Sequence, residues 1–223
     1  MKPSSLSDVR DMYEATADSY AEMMDTEIEL PIYEELLGRL QDGIATTPGA
    51  LLDTACGSGH MLAMFRARFD RGRPVVGVDL SPRMVAIANE RLGAEGRALV
   101  GDMRSLPGIA SGSAAAVLNF FAVHHLDSEG VRGSMAEWYR VLVPGGRLLV
   151  AAWEGGGRID YGGESEIIAL RYTSKELSEW AEAAGFTISR CVVEPVEGFD
   201  MDAVYMDCEK GAASDAVRSG RRP

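Results

Sequence analysis

The stretch Leu51-Leu-Asp-Thr-Ala-Cys-Gly-Ser-Gly59 decides the fold, because it joins a short apolar run to an acid and a glycine-rich turn. Glycine lets the backbone turn sharply and approach a ligand closely. In an open parallel sheet, ligands bind outside the carboxyl ends of the strands, near the point where the strand order reverses. The stretch therefore predicts a first strand that brings Asp53 and the turn at 57–59 to a ligand site.

Two further strand patterns each end in an acid. The apolar run at 74–79 ends in Asp79, 20 residues beyond Gly59, where a carboxylate reaches both hydroxyls of a ribose. The run that follows at 97–103 contains Asp102. Each acid alone is as easily a helix cap or a solvated turn residue. Three acids at the ends of three successive strands, around one glycine turn, favour a nucleotide site.

The order of the patterns predicts the fold class. Strands that are apolar throughout alternate with amphipathic helices, which is typical of a doubly wound, mostly parallel α/β sheet covered on both faces. Two helical patterns, at 6–25 and 31–42, precede the first strand. Near the end, the runs at 186–195 and 202–208 follow each other without a helix between them, so we expect them to pair antiparallel.

The composition weighs against several classes of protein. The 223 residues suit one domain, and the net charge of −12 weighs against nucleic acid as a partner. No apolar run is long enough to cross a membrane, and the N-terminus lacks the apolar segment of a signal peptide. An odd cysteine count without close pairs suits a reducing cytoplasm, and no metal-ligand spacing appears.

At this point the chain resembles the class I S-adenosylmethionine-dependent methyltransferases, and within them the small methyltransferase domain 11/25 group. The matching pieces include LLDTACGSG, VVGVDLSPRMVAIA, GDMRSLP, LVPGGRLLVAAW and YTSKELSEWAEAAGF, and YEATADSYAEMM is similar to the family's cap helix. The resemblance implies a seven-stranded Rossmann-like sheet that ends in an antiparallel hairpin. It also implies an N-terminal helical cap at 1–45 and a core at 46–209. The core carries a substrate insertion at 154–172, and we expect a disordered tail at 210–223.

The resemblance also implies which residues bind the cofactor, S-adenosylmethionine, whose product is S-adenosylhomocysteine. They would hold its methionine end, its ribose and its adenine, and the cap would close over it. These residues are Tyr20, Asp53, Ala55, Gly57, Gly59, Asp79, Leu80, Met84, Asp102, Met103, Asn119 and Phe120. For Leu80, Met84 and Phe120, a simple core position is an equal alternative.

Methyl transfer needs an aligned nucleophile and exclusion of water, and it needs a base only where the nucleophile carries a proton. The candidates for catalysis are His124 and Tyr161. The candidates for binding a small-molecule acceptor are Tyr13, His124, Trp153, Tyr161 and Arg171. The alternatives stay open: either histidine can simply pack against the glycine turn or bond to a backbone carbonyl, and a glycine-rich loop is often only mobile surface.

Two other functions compete with methyl transfer to a specialised metabolite. A nicotinamide-dependent oxidoreductase also places an acid about 20 residues after its glycines. Leu62 stands where that motif needs its third glycine, however, and Asp53 precedes the turn without a role there. The second alternative is a nucleotide-binding protein of the same fold without turnover. We expect a cytoplasmic monomer or homodimer with no nucleic-acid or membrane partner.

Overall fold

The computed structural model describes residues 2–159, 167–196 and 200–212. Seven strands form one sheet in the order β3-β2-β1-β4-β5-β7-β6. The strands are β1 Ala50–Asp53, β2 Val75–Asp79, β3 Gly96–Val100, β4 Ala114–Phe120, β5 Leu142–Trp153, β6 Phe186–Pro195 and β7 Asp202–Lys210.

Within the described ranges, six α-helices surround the sheet. They are α1 Leu6–Glu27, α2 Pro31–Ile44, α3 His60–Arg68, α4 Pro82–Leu92, α5 Ser128–Val141 and α6 Ser174–Ala183. Thr173 and Glu176 form a capping box at the start of α6, and Ser81 caps α4 just before Pro82. Among the described residues, no helix has both the length and the apolar content needed to cross a bilayer.

The topology confirms the predicted doubly wound, mostly parallel sheet. Strand β1 lies at the centre and pairs in parallel with β2 on one side and with β4 on the other. The chain therefore winds outward in both directions from β1, which places the switch point at the carboxyl ends of β1 and β4. Strand β7 is antiparallel to both β5 and β6, which confirms the predicted closing hairpin.

Two apolar layers cover the two faces of the sheet. One layer contains Leu51 together with buried side chains of α2, α3 and α4. The other contains Leu52 together with buried side chains of α5 and α6, among them Trp138. Successive strand residues point to opposite faces, so neighbouring leucines serve different layers. This double burial explains why the strands are apolar throughout.

The largest differences from the sequence prediction are at two strand ends. The apolar run at 147–153 predicts a strand there, but β5 already begins at Leu142, because Leu142 pairs with Ala114 and a register shift in β4 accommodates the extra residues. Strand β3 ends at Val100 rather than continuing to residue 103. Asp102 turns the chain there, since its carboxylate accepts the backbone N–H of Arg104. Residues 213–223, most of the predicted tail, lie outside the described residues.

Candidate functional site

The glycine turn after β1 has a backbone that other residues would adopt only with strain. Gly57 and Gly59 have φ values of 48° and 83°, in the left-handed region. A Cβ atom on Gly57 would lie 3.3 Å from the ring of Tyr20. A Cβ atom on Gly59 would lie 3.1 Å from Ala88 of α4. Gly57 thus admits a ring from the cap helix, whereas Gly59 allows α3 to begin close against α4.

Asp53 and Asp79 end the adjacent strands β1 and β2 and flank this turn. Asp53 is 2% exposed and accepts the backbone N–H of Ala55 at 3.2 Å. Asp79 accepts the N–H of Gly57 at 2.8 Å and the N–H of Ser81 at 3.0 Å. Burial raises the pKa of Asp53 to about 7, and it raises the pKa of Asp79 above its usual range.

These two carboxylates fit a cationic, hydroxyl-bearing ligand. Within the described part of the chain, no arginine, lysine or histidine forms an ion pair with Asp53 or Asp79. Buried charges in proteins are normally paired. An ammonium group beside Asp53 and a diol beside Asp79 would supply the missing partners, and S-adenosylmethionine carries both.

A cavity of about 70 Å³ opens at the carboxyl ends of β1, β2 and β4. Ten predicted site residues line it: Tyr13, Tyr20, Ala55, Gly57, Asp79, Leu80, Met84, Asp102, Met103 and Phe120. Asp53 lines a smaller adjoining cavity, which shares Tyr20, Ala55 and Phe120 with the first. The fold therefore brings most of the predicted cofactor residues to one place.

Helix α1 forms the roof of the cavity. Its residues Leu6, Val9, Tyr13 and Tyr20 line the cavity, and their spacing places them on one face of the helix. The rings of Tyr13 and Tyr20 meet edge to face, with centroids 6.1 Å apart. Burial raises the pKa of Tyr20 to about 12, with a further contribution from the nearby Asp79. Tyr20 is therefore a neutral phenol over the glycine turn.

Asp102 lines the cavity but is already engaged. Its carboxylate forms an ion pair with Arg104 at 2.6 Å and also accepts the Arg104 backbone N–H at 2.9 Å. The pair raises the pKa of the Arg104 guanidinium. An adenine amino group would have to share this carboxylate with Arg104.

The structure does not bring His124 into the cavity, where catalysis and acceptor binding by this residue were predicted. His124 is 4% exposed, and burial lowers its pKa well below the usual range. Its backbone carbonyl accepts the N–H of Leu170 at 2.7 Å. The neighbouring His125 lines the cavity instead, because the 3₁₀ turn at 123–125 directs the two rings differently.

Two predicted acceptor residues also lie outside both cavities. Trp153 packs on Phe121, with ring centroids 4.7 Å apart. Arg171 donates from Nε to the carbonyl of Glu154 at 2.7 Å, and its guanidinium lies against Gly155. Arg171 thus fixes the turn after β5 rather than facing the ligand site. Tyr161 lies outside the described residues.

Asn119 and Gly59, which were predicted to bind the cofactor, line neither cavity. Asn119 is fully buried, and its Nδ2 donates to Thr54 Oγ1 at 3.1 Å. Its Oδ1 has no hydrogen-bond partner within the part of the chain that the structure describes. Asn119 lies near the end of β4 beside Met103, whose sulfur is 3.2 Å from the Nδ2 of Asn119.

Sequence reasoning missed Phe121, Leu6 and Val9 as cavity residues. Phe121 has a φ of 47°, in the left-handed region that non-glycine residues rarely adopt. The strained backbone directs its ring against Trp153 and Tyr205 at the edge of the cavity. No local sequence pattern predicts a positive φ at a phenylalanine. The spacing of Leu6, Val9 and Tyr13, in contrast, indicates that they share one face of α1.

Comparison with known proteins agrees with this geometry. Residues 51–146 match the model of a methyltransferase domain. Over 106 residues, 46% of either chain, the sequence is 39% identical to a demethylmenaquinone methyltransferase of Thermus thermophilus. The chain thus matches about half the length of its curated relatives.

Solved structures show the same fold. A methyltransferase from Haloferax volcanii, described as putative and solved in complex with the activator Trm112, has a TM-score of 0.73. It is 20% identical, and the match covers 92% of this chain and 98% of that one. The 1,6-didemethyltoxoflavin-N1-methyltransferase of Burkholderia thailandensis, solved with that compound and S-adenosylhomocysteine, has a TM-score of 0.71. It is 21% identical, over 91% of this chain and 87% of that one.

The sequence match and the shared fold converge on the same residues, since the matched segment contains the glycine turn, Asp53, Asp79 and Asp102. Residues 51–146 are therefore identified as a methyltransferase domain, and the chain has the fold of the S-adenosylmethionine-dependent methyltransferases.

Proposed function

We propose that the chain transfers a methyl group from S-adenosylmethionine to an O, N or C nucleophile of a small-molecule acceptor. One observation carries the proposal. Asp53 is a buried carboxylate and Asp79 a half-buried one, and neither has an ion-pair partner among the described residues; they end neighbouring parallel strands around a glycine turn. A ligand with an ammonium group and a ribose diol satisfies both.

Different residues of the cavity would bind different parts of the cofactor. Asp53 would hold the ammonium group and Asp79 the ribose hydroxyls. Leu80 and Met84 would lie on the two sides of the adenine, with Asp102 and Met103 at its edge. When bound, S-adenosylmethionine supplies a methyl group on a positively charged sulfur. Tyr20 packs on Gly57 and closes the site from above, which excludes water.

The acceptor would lie between α1 and the end of β4. The side chains there are largely aromatic, and they include Tyr13, Phe120 and Phe121. Tyr13 and His125 supply a polar pair at this wall, with the hydroxyl 3.0 Å from Nε2. Such a wall favours a small, flat, mostly apolar acceptor, and we propose a specialised metabolite. The Burkholderia relative by fold acts on a small heterocycle, 1,6-didemethyltoxoflavin.

For catalysis we assign His125 to the place where the sequence suggested His124. Burial lowers the pKa of His125 to about 4, so the imidazole is neutral near pH 7. A neutral imidazole bonded to Tyr13 can orient a hydroxyl or amine of the acceptor. Tyr161 stays a candidate from the sequence.

We further propose that the protein works in the cytoplasm as a monomer or homodimer, with residues 1–45 as a cap on the core at 46–209. Its three cysteines, Cys56, Cys191 and Cys208, are free thiols, as a reducing compartment favours. Size-exclusion chromatography with light scattering, under reducing conditions, checks the oligomeric state.

Calorimetry tests the cofactor, and turnover tests the enzyme. We expect the purified chain to bind S-adenosylmethionine and S-adenosylhomocysteine and not to bind NAD or NADP. Incubation with methyl-labelled cofactor and a panel of quinols, phenols and nitrogen heterocycles should label one acceptor class. Binding of a nicotinamide cofactor instead would favour an oxidoreductase. Cofactor binding without turnover on any acceptor would favour a non-catalytic protein of the same fold.

A further inference from the structure

Helix α1 carries a row of acids beside its cavity-facing stripe. Glu14, Asp18 and Asp25 follow one another at spacings of four and seven residues, so they share one face of the helix. Each acid bonds to the core rather than to its own helix. Asp18 forms an ion pair with Arg83 of α4 at 2.6 Å.

Glu14 bonds directly to the start of α4. Its Oε2 accepts the Ser81 hydroxyl at 2.6 Å and the backbone N–H of Arg83 at 3.0 Å. The first N–H groups of a helix have no partner within the helix, so Glu14 adds to the cap that Ser81 gives Met84. Since the N–H of Ser81 donates to Asp79, a continuous chain of bonds runs from the cap helix to the proposed ribose site.

Asp25 bonds to the glycine turn at the other end of α1. It accepts from Nη2 of Arg91 at 3.0 Å, and it lies 2.8 Å from Nε2 of His60. Arg91 also donates to the carbonyl of Ser58 at 3.0 Å, and Nδ1 of His60 lies 2.9 Å from the Ser58 hydroxyl. The row of acids therefore attaches α1 to both loops that form the proposed cofactor site.

The size of the cavity makes these attachments relevant to ligand exchange. Ligand pockets normally measure about 300–1,000 Å³. The cavity beneath α1 measures about 70 Å³, and Tyr13 and Tyr20 of α1 form part of its wall. A nucleoside-sized ligand therefore needs part of this wall to move, and a shift of α1 away from α4 would also separate the acids from their partners.

We propose that Glu14 is a positioning residue which, together with Asp18 and Asp25, fastens α1 over the cavity, so that breaking this row of contacts sets the rate of cofactor exchange. The inference rests on the proposed binding of S-adenosylmethionine. The side chains of Asp18 and Asp25 are 71% and 60% exposed, so dissolved salt screens these contacts. Exchange is therefore expected to accelerate with ionic strength.

The experiment measures dissociation of radiolabelled S-adenosylmethionine after a chase with excess unlabelled S-adenosylhomocysteine. The variants are Glu14→Ala and Glu14→Gln, and the matched control is Asp11→Ala. Asp11 lies on the same helix, but its carboxylate bonds to Arg10 instead of the core. Hydrogen exchange of the α1 amides, without ligand, gives a second readout that does not depend on turnover.

We expect dissociation to be about tenfold faster in Glu14→Ala, from the loss of several contacts together. Glu14→Gln, which keeps an acceptor oxygen, should fall between this variant and the wild type. Raising salt from about 0.05 M to about 0.5 M should accelerate both the wild type and Glu14→Ala, because the exposed ion pairs of Asp18 and Asp25 remain in both. The α1 amides should exchange faster in Glu14→Ala and unchanged in Asp11→Ala.

An equal rate in the wild type and Glu14→Ala would overturn the inference while leaving the proposed function intact. Equal acceleration by Asp11→Ala would also overturn it, because loss of any negative charge would then suffice. Faster exchange of α4 amides with unchanged α1 would reduce Glu14 to a local helix cap. No retention of S-adenosylmethionine by the wild type would overturn the proposed function itself.

Discussion

The hydroxyl of Tyr13 lies 3.0 Å from Nε2 of His125, which joins the cap helix to the turn after β4 across 112 positions of sequence. The two rings also meet edge to face, with centroids 5.4 Å apart. Because burial lowers the pKa of His125 to about 4, its imidazole is neutral at physiological pH. The pair of Tyr13 and His125 is the polar part of an otherwise aromatic wall, at the place proposed for the acceptor.

Replacing Tyr13 by Phe removes the hydroxyl of this pair and keeps the ring. We expect turnover to fall about two- to tenfold, the equivalent of one hydrogen bond, with cofactor affinity within about twofold. Steady-state kinetics and calorimetry measure the two quantities. Tyr139→Phe is the control, since that ring packs on Phe186 away from the cavity. Equal kinetics in Tyr13→Phe and the wild type would remove the pair from the mechanism.

Asp79→Ala should weaken binding of S-adenosylmethionine at least about tenfold without unfolding the protein. Hydrogen bonds to a charged acceptor contribute about 1.5–3 kcal/mol each, and about 1.4 kcal/mol corresponds to a factor of ten. Asp79→Asn separates charge from hydrogen bonding. Calorimetry gives the affinity and circular dichroism the fold. An unchanged dissociation constant in Asp79→Ala would show that the ribose binds elsewhere.

Asp53 should make the stability of the ligand-free protein depend on pH. Its pKa rises on folding from 3.8 to about 7, so the folded state binds the proton more tightly than the unfolded state. This stabilising contribution is complete below about pH 4 and is lost as pH rises through about 7. The loss is on the order of 4 kcal/mol, at about 1.4 kcal/mol per pKa unit.

Urea unfolding of the wild type and Asp53→Asn at several pH values measures this effect. The variant should gain stability relative to the wild type between about pH 4 and pH 8. Asp79 shifts in the same direction, so the two proteins are compared at each pH rather than along one curve. A difference that stays constant across this range would refute the raised pKa of Asp53.

Arg171→Ala should raise the acceptor's KM and leave cofactor affinity within about twofold. The side chain holds the carbonyl of Glu154 and lies against Gly155, so its loss frees the turn after β5 without touching the cavity. Arg158→Ala, an exposed arginine in the same segment, is the control. Tyr161→Ala is expected to act in the same direction. If Arg171→Ala and Tyr161→Ala both keep the wild-type KM, the insertion at 154–172 does not shape the acceptor site.

Local patterns and the family resemblance together predicted the sheet and most of the cofactor side of the site. Apolar runs that end in Asp53 and Asp79 identify strands whose carboxyl ends meet, because parallel strands in one sheet share an edge. The glycines at 57 and 59 indicate a positive φ at their positions, since only glycine adopts this backbone conformation without strain. These features depend on residues that are close in sequence, so they can be predicted from the sequence alone.

The tertiary structure alone decided which of two adjacent histidines faces the cavity. His124 and His125 are indistinguishable by composition or spacing, yet His125 lines the cavity and His124 does not. The bonds of Glu14 to Ser81 and Arg83 join residues 67 and 69 positions apart, so no local pattern announces them. The sequence determines which chemical groups are present, but their directions follow from long-range packing, which exists only once the sheet has formed.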